Sequence, residues 1–133
     1  MNAKDCSGFE DVGCFLGALA NWDKFTGEAT YLVVCNGPIG RLEGGSDILY
    51  IGQSKRFGGD SSSRLWIYCH PTKDSQEERV MNVVVNLTSG GVTVSLHMCQ
   101  EPPGGRTVKE YESLLLSRYK TDHWELPPCN FQH

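Results

Sequence analysis

No apolar run in these 133 residues approaches the roughly 18 needed to cross a bilayer, and the polar opening Met1-Asn2-Ala3-Lys4-Asp5 lacks the apolar core of a secretory signal. A membrane span is not expected; a soluble, cytoplasmic protein is. No two of the six cysteines, at 6, 14, 35, 69, 99 and 129, have the close CxxC spacing of a zinc site. Their even scatter, with Cys35 and Cys99 closing strand-like runs, suits reduced core thiols. Metal ligation by Cys69, His70 and Cys99, or disulfide pairing, are the alternative uses. Positive charge is scarce: 12 Lys and Arg face 16 Asp and Glu, a net charge of −4. This disfavours general adhesion to nucleic acid, which draws on many cations, so any such face must be local. The distribution allows one, because residues 1–47 carry seven acids against three bases, whereas 48–70 carry Lys55, Arg56 and Arg64 against Asp60 alone.

The length suits one domain over residues 1–133, burying about two-thirds of its unfolded surface. Its organising stretch is Ile48-Leu49-Tyr50-Ile51-Gly52-Gln53-Ser54, a β-branched and aromatic run that ends in a glycine and hands over to Lys55 and Arg56. A second predicted strand, 30–35, also opens with a tyrosine, Tyr31, and the Gly-rich segment 36–47 between the two reads as a hairpin loop. Two strands that each present a phenol, followed by a cation cluster, make a site that can hold a phosphate.

Elsewhere, Phe9, Val12, Phe15, Leu16 and Leu19 recur at helical spacing and predict a helix over about 9–21. The serines at 61–63 offer caps for a short helix over 64–69, ended ahead of Pro71, with Arg64 and Tyr68 one turn apart on one face. Residues 71–79 read as a polar loop with a helical turn at 75–79. Two strands, 80–87 and 92–99, are predicted around the hairpin signal Thr88-Ser89-Gly90-Gly91. Thr107-Val108-Lys109-Glu110 is a capping box that opens a helix running to about Tyr119. Glu110 then serves the cap. Glu112 instead sits among Val108, Leu115, Leu116 and Tyr119, on or beside the buried face, where a carboxylate needs either an ion-pair partner or a hard cation. The closing Leu126-Pro127-Pro128-Cys129-Asn130-Phe131 is too proline-rich for helix and is expected to cross back over the sheet, ending in a fixed Asn130.

Taken in order, Tyr31, Tyr50-Ile51-Gly52, Arg64, Glu112 and Asn130 resemble the motif series of the GIY-YIG nuclease superfamily. The string Glu112-x-x-Leu115-Leu116-x-x-Tyr119-x-x-x-His123-x-Glu125-Leu126-Pro127-Pro128-x-Asn130 looks like the end of its small single-domain members. The match covers residues 30–130, and at the first motif, Ala29-Thr30-Tyr31, only the tyrosine is kept. The resemblance implies an α/β (α+β) fold with a central three-stranded antiparallel sheet flanked by helices. It also implies metal-dependent endonuclease action on DNA with Mg²⁺ or Mn²⁺. Tyr31 would orient or deprotonate the attacking water, Tyr50 would stand against it at the scissile phosphate, and Arg64 would clamp a phosphate oxygen. Glu112 would be the sole protein ligand of the metal, Asn130 would brace the site, and Gly52, Lys55 and Tyr68 would support it. Target choice would come from loops, a homodimer or a partner protein. The alternative is a catalytically silent nucleic-acid-binding or interaction module on the same fold, and an unrelated α/β protein using its cysteines is a third reading.

Overall fold

The four strands pair antiparallel throughout, in the order β1-β4-β2-β3. They are β1 (Glu10–Cys14), β2 (Ala29–Gly40), β3 (Gly45–Ser54) and β4 (Val94–Cys99), joined by helices α1 (Phe15–Ala20), α2 (Arg64–Cys69), α3 (Gln76–Ser89) and α4 (Val108–His123). The computed structural model describes residues 1–130; Phe131 of the closing segment lies outside them. The class is α+β, with four strands in the sheet where three were expected. The additional strand is β1, laid along β4.

Side chains alternate across a strand, so the sheet has two apolar faces and each is covered by helices. On one face Tyr31, Val33 and Leu96 pack beneath Phe15, Ala18 and Leu19 of α1, Leu65 and Tyr68 of α2, and Val80 and Val84 of α3. On the other, Leu32, Val34, Ile48 and Ile51 meet Tyr111, Leu115, Leu116 and Tyr119 of α4. A bulge interrupts the alternation in β3 just beyond Tyr50. Val33 is opposite Tyr50 while Val34 is opposite Ile48, so Leu49 is an extra residue on β3. In consequence Leu49 joins Tyr50 on the α1–α3 face; Tyr50 itself lies on Tyr31's side because it is opposite Val33, two residues from Tyr31 in the regular part of the ladder.

Three sequence expectations are corrected. Residues 80–87 are helix, not strand: α3 begins at Gln76 after Ser75, whose Oγ accepts from the Glu78 amide at 3.1 Å. A valine costs about 0.5 kcal/mol of helix propensity, whereas burying one contributes about 1.5–3 kcal/mol. Val80 and Val84, four apart, are both fully buried, so packing wins. β4 therefore has no hairpin partner in 80–87 and pairs with β2 and β1 instead. The second correction is at the N-terminus, where the helix starts only at Phe15 because Glu10 and Asp11 pair with Met98 and His97 of β4. Gly13, with φ +101°, takes the backbone turn that separates strand from helix. Third, the loop over 36–47 is shorter than expected: Ile39 pairs with Ser46 and Gly40 with Gly45, which leaves a turn of residues 41–44 closed by the Arg41 amide on the Gly44 carbonyl at 2.8 Å.

The capping box of α4 forms as its sequence dictates. Glu110 N donates to Thr107 Oγ1 at 3.1 Å and Thr107 N to Glu110 Oε1 at 2.8 Å. All six cysteines are unpaired; Cys14 and Cys69 are exposed and the other four buried. No helix among the described residues is long and apolar enough to cross a membrane.

Candidate active site

Tyr31, Tyr50 and Tyr68 converge around Gly52. Tyr31 is directly opposite Gly52 in the β2–β3 ladder, and the missing side chain is the space its ring occupies. A β-carbon on Gly52 would lie 2.5 Å from Tyr50 Cε2 and 2.7 Å from Tyr31 Cζ, closer than carbon atoms can approach. The Tyr31 ring is 5.9 Å from that of Tyr50, 5.1 Å from Phe57 and 6.3 Å, edge-on, from Tyr68. The hydroxyls of Tyr31 and Tyr68 share a hydrogen bond of 2.7 Å.

Arg64 opens α2 beside this cluster. The helix is fixed there by its Ser63 cap and by two backbone bonds, Arg64 N to the Arg56 carbonyl at 2.8 Å and Leu65 N to the Phe57 carbonyl at 3.0 Å. Tyr68 follows one turn later and is buried with Leu65, so the packing comes from the Tyr68 side of the helix and not, as expected from the sequence, from the face opposite it. The Arg64 guanidinium is two-thirds or more shielded, its Nη1 lies 3.3 Å from Glu77 Oε2, and its buried Nε has no hydrogen-bond partner. Asp60 does not pair with Arg64; its carboxylate accepts from the amide and hydroxyl of Ser62, both at 2.8 Å.

Glu112 approaches from α4, which the buried bond from Thr30 Oγ1 to the Val108 carbonyl, 2.8 Å, ties to β2. Its carboxylate is half-buried and makes no hydrogen bond or ion pair among the described residues; burial raises its pKa, and Arg64 and Lys109 oppose the rise from a distance. The structural ion pair considered from the sequence is therefore not formed. Desolvation likewise pushes the phenols of Tyr31 and Tyr68 well above their usual range, with Tyr50 adding to the rise and Arg64 opposing it, and burial raises Tyr50 too, against the opposing influence of Gln76 and Arg64. At neutral pH the three phenols are thus neutral, beside the Arg64 guanidinium and the carboxyl groups of Glu77 and Glu112.

The remaining expectations divide. Asn130 is fixed to the strand that carries Tyr50 and Gly52: its Oδ1 accepts from Ile51 N at 3.1 Å and its Nδ2 donates to Ile51 O at 3.0 Å. Lys55 is exposed beyond the end of β3 and makes no bond to the cluster. Cys69 and His70 cannot share a metal with Cys99, because α2 packs on one face of the sheet while Cys99 faces the other. Among the described residues no three His, Cys, Asp or Glu side chains gather as an all-protein metal cage. The donor chemistry at Glu112 is of another kind. One half-buried carboxylate without a donor suits an ion such as Mg²⁺, which keeps several waters and takes phosphate oxygens as further ligands.

Gln76, Glu77 and Phe57 belong to the cluster and were not singled out from the sequence. Ser75-Gln76-Glu77-Glu78 has the Ser-x-x-Glu spacing of a helix start, which would have revealed the first two. No family model matches this chain, and no curated protein or solved structure matches it.

Proposed function

We propose that the chain is a metal-dependent endonuclease domain of the GIY-YIG type, hydrolysing phosphodiester bonds in DNA. The observation that carries this reading is Glu112: a carboxylate held half out of water, with no hydrogen bond or ion pair among the described residues, on the side from which it senses both Arg64 and Tyr50. A charge kept in that position costs stability unless a cation meets it. Bound there, Mg²⁺ or Mn²⁺ would act as a Lewis acid on the phosphate and lower the pKa of a coordinated water.

The chain's own groups supply the rest. Arg64 stays charged at any working pH, and its guanidinium, with Nε unpartnered and Nη1 in one long contact, keeps donors for phosphate oxygens. Tyr50 supplies a neutral hydroxyl near Gln76. Tyr31 is neutral and already engaged by Tyr68, so it orients rather than abstracts a proton. Gly52 lets the rings close up, and Asn130 keeps the strand beneath them in place. We assign target choice to the exposed loops, a second copy or a partner protein.

The silent-module reading has one observation in its favour: Tyr31 and Tyr68 are each only 1% exposed, so their hydroxyls face each other and not solvent. Nicking of supercoiled plasmid, and cleavage of single-stranded, duplex and branched DNA, with Mg²⁺, Mn²⁺ or EDTA separates the two. Metal-dependent cleavage that disappears in Glu112→Gln supports the nuclease. DNA binding without cleavage in any metal supports the silent module, and absence of both removes nucleic acid from the account.

A further inference from the structure

Glu77 is the one charged member of the cluster to which the nuclease reading gives no part. It stands in the first turn of α3, directly after Gln76, and its carboxylate lies 3.3 Å from Arg64 Nη1 with both side chains largely sheltered from solvent, 18% and 29% exposed. A structural ion pair in this setting would be expected to satisfy the guanidinium. It does not: the contact is one-armed, at the long end of the range for charged groups, and leaves Arg64 Nε buried without a partner. A guanidinium forks equally well onto a carboxylate or a phosphate, both planar-edged pairs of oxygens bearing negative charge. Glu77 therefore presents to Arg64 the same chemistry as the substrate would, at Nη1 alone, and leaves the Nε edge of the guanidinium open.

We propose that Glu77 is a positioning residue that stands in for the substrate phosphate: it holds the Arg64 side chain extended toward the tyrosines and yields Nη1 to a phosphate oxygen on binding. This rests on the reading of Arg64 as the phosphate clamp. Two opposed consequences follow from one contact. The carboxylate competes with phosphate for Arg64, so it weakens binding; it also keeps Arg64 oriented before binding, so it favours turnover. By formal charge the cluster is acidic when empty, two carboxyl groups against one guanidinium, and a metal ion together with a phosphodiester brings it to balance.

The test uses the full chain and inorganic phosphate as the probe, titrated calorimetrically without metal, alongside steady-state cleavage of plasmid DNA with Mg²⁺. Glu77→Gln should bind phosphate about tenfold more tightly than wild type, and Arg64→Met should not bind it. Glu78→Gln removes the same charge one residue along; its carboxylate accepts from the Asp74 amide instead, so it should change phosphate affinity less than twofold. In cleavage, Glu77→Gln should lower KM and also lower kcat about tenfold, a split that a purely structural residue does not produce. If Glu77→Gln does not fold, Glu77→Asp retains the charge but draws it back from Nη1, and an intermediate gain in phosphate affinity is expected. Equal affinities for Glu77→Gln and Glu78→Gln overturn the proposal, as does a Glu77 variant that raises KM. The nuclease reading fails separately: if wild type cleaves nothing in any metal while Glu77→Gln still gains phosphate affinity, the stand-in role holds and the catalytic one does not.

Discussion

The hydroxyl of Tyr31, on β2, lies 2.7 Å from that of Tyr68, on α2, in a region where both side chains are 1% exposed. Neither group can turn to water, so each is the other's means of satisfaction. Tyr31→Phe or Tyr68→Phe alone should cost about 1–3 kcal/mol, because one buried hydroxyl is stranded, and the double variant should cost less than the sum. Urea denaturation of the four proteins of this cycle measures the coupling. Additive losses would mean that the two hydroxyls do not depend on each other.

The same pair sets an alkaline limit. Both phenols are raised above the ordinary ~10 by burial, so above that pH the unfolded chain has lost protons that the folded chain keeps. Their contribution to stability is complete below pH ~10 and falls as pH rises further. Urea midpoints measured from pH 8 to 11 should be level at first and then decline, with less decline in the double phenylalanine variant.

Gly52→Ala should be more damaging than its one added carbon suggests. The strand geometry at Gly52 is ordinary and suits any residue; what forbids alanine is the 2.5 and 2.7 Å approach to two rings. Forcing them apart should cost about 1–3 kcal/mol and displace both phenols, so that cleavage fails while the fold survives. Thermal unfolding and plasmid nicking on one preparation check this.

Glu112 and Glu110 should part company. Burial raises the Glu112 pKa, so the folded state holds its proton more firmly than the unfolded state, and this group's contribution is best at low pH and declines as pH rises through its folded pKa. At neutral pH the carboxylate is thus a burden that Glu112→Gln removes: the variant should be no less stable than wild type, yet inactive. Mg²⁺ should raise the melting temperature of wild type and not of the variant, a readout independent of cleavage. Glu110→Gln should lose a little thermal stability with its cap and keep its activity. A dead Glu110 variant would reverse the assignment.

Arg64→Lys should reduce turnover by about two to three orders of magnitude at saturating metal, since an ammonium cannot reproduce the guanidinium fork at a phosphate. Tyr68→Phe should reduce it less. Unchanged turnover in Arg64→Lys would leave the arginine with its Glu77 contact alone and would remove the clamp from the mechanism.

What could be read from the sequence was whatever short-range chemistry dictates. The Thr107–Glu110 box needs only four residues to specify the start of α4, and the Ser63 cap and Pro71 bracket α2 in the same local way. The spacing that puts Arg64 and Tyr68 on one face is a property of the helix itself. Residues 80–87 misled because a valine-rich run is ambiguous in isolation, and only the second layer of packing, Val80 and Val84 against the sheet, decides for helix. The bulge at Leu49 is invisible for the same reason, being a mismatch between two strands that neither strand encodes alone. Glu77 went unnoticed because its significance lies in Arg64, 13 residues away in the chain and 3.3 Å away in space.

The tail has a consequence beyond holding Tyr50's strand. β3 is an outermost strand, and the backbone groups along its free side would ordinarily recruit a strand from another molecule. Cys129 N takes the Leu49 carbonyl at 2.9 Å, and the Asn130 carboxamide, a peptide group in miniature, occupies both the donor and the acceptor of Ile51. The chain thus closes its own most adhesive border with two residues and no additional strand, so that aggregation through β3 first requires the molecule to let go of its own end.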